Sequence, residues 1–174
     1  MRARAIYVTL GLILLLAAVA RADRVTSDYD HRTDFSKYKT FMWVHEPEPN
    51  DPFVKERIVA AVNAELTARG LRQVTEGADM AVGANIATEE KHSWETYYNG
   101  DGGWGWGWGG GWSTTEERTY EVGTLTVDLF DAENHRIIWQ GVATDEIPSK
   151  PAKRTKETDK QIEKMFKKYP WGTD

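Results

Sequence analysis

The chain has 174 residues, of which 40% are hydrophobic and 28% charged, enough for one globular domain and too few for two comfortable ones. It has no cysteine, which excludes a disulfide scaffold, a thiolate zinc site, an iron–sulfur cluster and a cysteine nucleophile. A formal charge of −5 argues against nucleic-acid binding, which needs a basic surface to neutralise phosphates.

Residues 1–22 read as an export signal. Arg2 and Arg4 form a positive start, Ile6 to Val19 an apolar run, and Ala20-Arg21-Ala22 a small-x-small cleavage site before Asp23. The fourteen apolar residues fall short of the roughly 20 that span a bilayer, so cleavage is expected in place of a retained anchor helix. Cleavage leaves residues 23–174 as a single domain of 152 residues with 19 basic and 27 acidic side chains, a formal −8. Acylation of an exported precursor requires a cysteine, so the mature chain is expected in a bacterial periplasm without lipid.

Thr40-Phe41-Met42-Trp43-Val44 is rich in strand formers and stops before Pro47 and Pro49. Asp51 and Pro52 then supply an N-cap and a first helical residue. Val54, Ile58, Val62 and Leu66 recur every four residues, and Gly70 provides the stop, so a helix lying on a core is predicted. Leu71 to Val74 reads as a short strand. After a turn at Glu76-Gly77, Met80, Val82, Ala84 and Ile86 alternate with small residues at the period of a strand buried on one face. A second alternation sets Leu125, Val127 and Leu129 inward and Val122, Thr124, Thr126 and Asp128 outward. A turn at Ala132 to His135 leads to a third such strand, Arg136 to Ile147, with Ile138 and Val142 on one side and Ile137 and Trp139 on the other. Pro148 to Arg154 looks like a linker. Thr155 to Lys168 carries Ile162, Met165, Phe166 and Tyr169 at helical spacing. The expected fold is an α+β two-layer sandwich: a mainly antiparallel sheet of four to five strands with two amphipathic helices on one face.

Residues 99–112 read NGDGGWGWGWGGGW and hold eight of the 15 Gly and four of the 8 Trp. Each Gly disfavours a helix by about 1 kcal/mol relative to Ala, so the segment is expected as the tip of a long hairpin. If it is extended, Trp104, Trp106 and Trp108 project from one face. With Tyr97, Tyr98 and Trp112 they form the candidate binding surface, since exposed indoles suit membrane interfaces, sugar faces and protein pockets. Packing of the tip over the sheet edge and self-association through it are the competing readings. Gly105-x-Gly107-x-x-Gly110 matches a dinucleotide fingerprint in letters only, with neither a preceding hydrophobic strand nor a following helix.

No catalytic or metal-binding set is found. His31, His45, His92 and His135 lack chelating spacing. The run from Asp28 through Asp30 and Asp34 fails as a calcium loop, with Thr33 at the glycine position and Lys39 in place of the closing Glu. Ser113 misses the nucleophile elbow, and no cofactor is expected. Glu89-Glu90 and Glu116-Glu117 would point to opposite faces of a strand, as neighbouring residues do. An enzyme would need His92 to converge with Glu90, Glu116 or Asp101 in one cleft. The basic run Lys150, Lys153, Arg154, Lys156 is a solvated helix start or a contact for anionic lipid or an acidic partner.

Several motifs together resemble a bacterial family known as domain of unknown function 4136. They are Asp28-Tyr29-Asp30, Asp34-Phe35-Ser36-Lys37-Tyr38-Lys39-Thr40-Phe41 with Trp43, Gly123 to Asp131, Trp139-Gln140-Gly141, and Phe166-Lys167-Lys168-Tyr169-Pro170. The resemblance implies an exported cell-envelope protein, often a lipoprotein in Gram-negative bacteria, with no established activity or ligand. This chain departs from the lipoprotein members in lacking the acylated cysteine. The expected function is non-catalytic binding of an envelope component or protein partner through the Trp/Gly loop, including contact with a membrane interface. The alternatives are a soluble carrier of a small lipid or apolar molecule, and, further off, a hydrolase. Nothing in the sequence sets an oligomeric state.

Overall fold

The computed structural model describes residues 24–99 and 112–170. The expected signal segment and the loop interior with Asp101, Trp104, Trp106 and Trp108 lie outside the described residues. Six strands and two α-helices follow in the order β1 (Arg24–Tyr29), β2 (Thr40–His45), α1 (Pro52–Ala68), β3 (Arg72–Gln73), β4 (Met80–Asn99), β5 (Trp112–Asp131), β6 (Ile137–Glu146) and α2 (Pro151–Phe166). A one-turn 3-10 helix, Phe35–Lys37, joins β1 to β2.

The strands form one sheet in the order β1-β6-β5-β4-β2-β3. Three neighbouring pairs are antiparallel, β1/β6, β6/β5 and β5/β4. The other two, β4/β2 and β2/β3, are parallel. The expected sheet is therefore corrected in two respects: it has six strands, and it is mixed. The parallel pairs arise because α1 carries the chain from the end of β2 back to the starting edge, as a crossover must. The added strand β1 is hidden in the sequence because Ser27 and Asp28 in it read as turn formers.

Both helices begin at prolines. Asp51 caps α1, its carboxylate accepting from the Phe53 amide at 3.0 Å, and Gly70 follows the helix with φ +82°. The helix α2 starts at Pro151, earlier than the expected Thr155, so most of the supposed linker is its first turn. Proline needs no N–H partner there, and the amides of Lys153 and Arg154 bond to the Lys150 carbonyl at 3.0 Å.

One core lies between the sheet and the helices. Ile58, Val62 and Leu66 from α1 and Ile162, Met165 and Phe166 from α2 meet Met80, Val82, Ala84, Leu125, Val127, Leu129 and Trp139, all buried. The two alternating patterns of β4 and β5 thus fall on the predicted faces. The β6 pattern does not. Its register slips between Leu129 and Phe130, leaving Ile138 as an extra residue, so Ile138 and Trp139 are both buried while Ile137 is exposed. Trp139 stacks on Phe166 at 4.6 Å between ring centres. Its indole also covers Gly141: a Cβ there would sit 2.6 Å from Trp139 Cη2 and 3.1 Å from Met165 Sδ. The pairing of a bulky residue with a close-approach glycine in Trp139-x-Gly141 is therefore a packing device.

Candidate functional site: a projecting ribbon

The two longest strands outrun the sheet. β2 leaves β4 at Gly83, and β6 leaves β5 at Val122, opposite Glu146. From Glu90↔Glu121 to Asn99↔Trp112 the hairpin continues for ten residue pairs without a neighbouring strand. At about 3.3 Å per residue this arm reaches roughly 30 Å beyond the body. The strands go on with four Thr, three Tyr and two Trp as strand formers among the charges, although no buried face remains to impose alternation. That is why the sequence pattern breaks off at Ala87 and resumes only at Val122.

Strand geometry sorts the arm into two faces. The side continuing the core face carries Glu90, His92, Trp94 and Thr96 from β4, with Thr115, Glu117, Thr119 and Glu121 from β5. Trp94 is 68% exposed there. His92 Nδ1 lies 3.0 Å from Glu117 Oε1 and 3.1 Å from Thr119 Oγ1, and its Nε2 lies 3.7 Å from Glu90 Oε1. The opposite side is mixed in charge. Lys91 approaches Glu89 at 3.5 Å, and Arg118 pairs with Glu146 at 2.7 Å while lying near the Tyr120 ring. Two like-charge pairs stand directly across the strands, Glu90↔Glu121 and Glu95↔Glu116, an arrangement that weakens an isolated hairpin.

The predicted site residues map onto this arm in part. Tyr97 pairs with Thr114, Tyr98 with Ser113 and Trp112 with Asn99 at its far end. Their side chains, like Trp104, Trp106 and Trp108, lie outside the described residues. In the sequence Trp94 stands out only as a neighbour of the loop, and the run around it, Thr88 to Thr96, has no alternation that would mark it as strand. Of the catalytic candidates, His92 does meet Glu90 and Glu117, but His92 and Glu117 lie on the exposed ribbon face, and only Glu90 lines the cleft at the arm's root with Thr119, Glu121 and Arg154. Glu116 falls on the opposite face. No cluster of three or more His, Asp or Glu is arranged to hold a metal among the described residues.

A cleft of about 190 Å³ opens at the root of the arm between the two helix starts and the sheet. Val54, Ile58, Ile86 and Leu125 form its apolar wall, and Asp145 and Arg154 also line it. It is smaller than the roughly 300–1,000 Å³ usual for small-molecule sites.

Gly123 and Leu125 of the family-like motifs line the root cleft, while the acidic and aromatic residues of those motifs lie toward the other end of the sheet. Asp131 is buried and its carboxylate accepts from Lys37 Nζ and Tyr38 Oη, both at 2.8 Å. It also accepts from the amides of Glu133 at 3.0 Å and Asn134 at 3.2 Å. The hydrogen bonds from Lys37 and Tyr38 hold the Asp131 carboxyl well below the usual carboxylate range and raise the Lys37 ammonium. Burial, then the neighbouring carboxylate, pushes the Tyr38 phenol up to about 12. Nearby, Asp30 joins Arg32 and Arg136, at 3.1 and 2.8 Å, and Asp34 caps the 3-10 turn through Ser36. Trp43 Nε1 donates to Asn63 Oδ1 at 2.8 Å. Arg69 reaches the Phe166 carbonyl at 2.6 Å. These contacts pin loops to the sheet and one helix to the other. They are scaffold.

Fold and site together define an α+β sandwich whose central hairpin extends as a free arm. The sequence profile of the family described as Domain of unknown function (DUF4136) matches residues 25–171, and the chain belongs to that family. A DUF4136 family protein from Bacteroides thetaiotaomicron has 16% identity over 87% of this chain and 97% of its own length, with a TM-score of 0.56. A PDZ domain protein from Parabacteroides distasonis has 13% identity over 87% of this chain, with a TM-score of 0.58; this chain spans only 36% of that protein. PelC from Paraburkholderia phytofirmans, crystallised as a dodecamer, has 16% identity over 81% of this chain and 92% of its own, with a TM-score of 0.48. A comparison with curated protein sequences returns no match. At these identities the likeness to the first two of these structures speaks for the fold alone. No helix of the described residues is long and apolar enough to cross a membrane.

Proposed function

We propose that this chain is a non-catalytic binding module of the bacterial cell envelope that meets its partner through the arm and its Trp/Gly tip. The observation that carries the reading is the ten-pair ribbon standing clear of the sheet with the Trp94 indole in water. A hairpin exposed on both faces buries little of its own, so its length is not explained by stability of the body. It serves to present its end, where glycines let the indoles of Trp104, Trp106 and Trp108 adapt to a surface. The signal-like residues 1–22 and the absence of cysteine support export without acylation. A carrier for a small apolar molecule is the second reading, resting on the apolar wall of the root cleft; the cleft's volume suits only a very small ligand.

The test is the triple replacement of Trp104, Trp106 and Trp108 by Ala, followed by crosslinking and capture from native periplasm. Loss of envelope association with an unchanged melting temperature is expected. A large fall in melting temperature with association intact would mean instead that the tip packs on the body.

A further inference from the structure

The acidic side of the arm and the outer side of α2 are complementary, and both are exposed. The arm's core-side face carries Glu90, Glu117 and Glu121 and no Lys or Arg, because Lys91 and Arg118 fall on the opposite side. Helix α2 is predominantly basic, with Lys160 and Lys167 lying 3.6 and 3.3 Å from Glu157 and Glu163 of the same helix. Residues 150–168 hold eight basic and three acidic side chains. With Ile162, Met165 and Phe166 turned to the core, helical spacing puts Lys153, Lys156, Lys160, Lys164 and Lys167 on the outward face. Lys153, Lys156 and Lys160 are all exposed.

The spans also agree. From the Glu90↔Glu121 pair to Glu117 is four strand positions, about 13 Å, and from Lys153 to Lys160 is seven helical positions, about 10 Å. Trp94, beside Glu117, offers a ring face to an ammonium. Within the chain, Arg154 from the first turn of α2 lines one cleft with Glu90 and Glu121 at the root of the arm, while helical spacing turns Lys153, Lys156 and Lys160 away from the sheet.

We propose that a second copy of this chain docks its α2 lysine face onto the core-side face of the arm, in a head-to-tail contact. Such a contact is heterologous and leaves one arm and one helix open at its ends, so it propagates to a ring or a short file. It also relieves the opposed Glu90 and Glu121 charges, which gives the like-charge pair a use. The inference rests on the arm being a contact element but not on what the tip binds. Excision of residues 100–111 should abolish envelope capture and leave self-association in place.

The experiment is analytical sedimentation of the chain recovered after export, at low salt and at about 0.5 M salt, where exposed charges are largely screened. Concentration-dependent association at low salt, at least about tenfold weaker at high salt, is expected. The reversals Glu90→Lys/Glu117→Lys/Glu121→Lys and Lys153→Glu/Lys156→Glu/Lys160→Glu should each remove it, and mixing the two variants should restore a heteromeric contact. Unchanged circular dichroism and melting temperature certify both folds; if either triple variant is unfolded, Glu117→Lys and Lys156→Glu alone should each weaken association severalfold and rescue each other. A chain that stays monomeric at low salt overturns the proposal, as does association that survives either reversal or a mixture without rescue. Binding of the lysine face to phosphatidylglycerol vesicles with no self-association would assign that face to lipid instead.

Discussion

Replacing Asp131 by Asn tests the claim that the far end of the sheet is held by a buried carboxylate. The asparagine carbonyl oxygen still accepts from the Glu133 and Asn134 amides, more weakly for want of charge. The amide nitrogen takes the place of Oδ2, where Lys37 and Tyr38 both donate at 2.8 Å. Tyr38 can turn its hydroxyl to accept. Lys37 cannot, and its half-exposed ammonium swings into water. Loss of the charge-assisted buried bonds is worth about 2 kcal/mol, with the solvent-reached Lys37 contact left out of the figure. In a domain of this size that lowers the melting temperature by about 4–8 °C. The pH dependence is diagnostic. A carboxyl held below its ordinary value of about 3.9 stabilises the fold above that value, and the contribution fades as pH falls toward the folded value. Urea titrations of wild type and Asp131→Asn should therefore differ at pH 7 and converge as the medium is acidified below about pH 4. A difference that is the same at pH 7 and at about pH 2.5 would refute the buried-carboxylate account.

Two further outcomes probe the scaffold. Gly141→Ala forces a Cβ to within 2.6 Å of the Trp139 ring and should cost about 1–3 kcal/mol in chemical denaturation, although Ala is the better strand residue. Asp51→Ala removes the α1 cap bond to the Phe53 amide and should cost about 1 kcal/mol, while Asp51→Ser retains most of the stability.

The elements with a buried face were legible. α1 announced itself through Asp51, Pro52, the four-residue repeat to Leu66 and Gly70, because cap chemistry and burial agreed there. The inner halves of β4 and β5 followed for the same reason. Where one cause was missing, the reading failed. The outer halves of those strands have no core to alternate against. β1 is an edge strand with Ser27 and Asp28 in it, and the bulge at Ile138 broke the two-residue period. The parallel placement of β2 beside β4 depends on where α1 delivers the chain, which no local pattern records. The candidate site was legible in location only: the Trp/Gly run marked the hairpin's end, but nothing in it disclosed the long stalk or the sorting of its charges.

The stalk is continuous with the strands that carry Met80, Val82, Val127 and Leu129, and this joins its growth to a parity rule. Adding one residue to each strand of the stalk would leave the body untouched yet invert which side every more distal residue occupies. Lengthening by two per strand preserves that sidedness. Descendants of this chain can thus change its reach freely only in even steps, while an odd step turns the far end to look the other way.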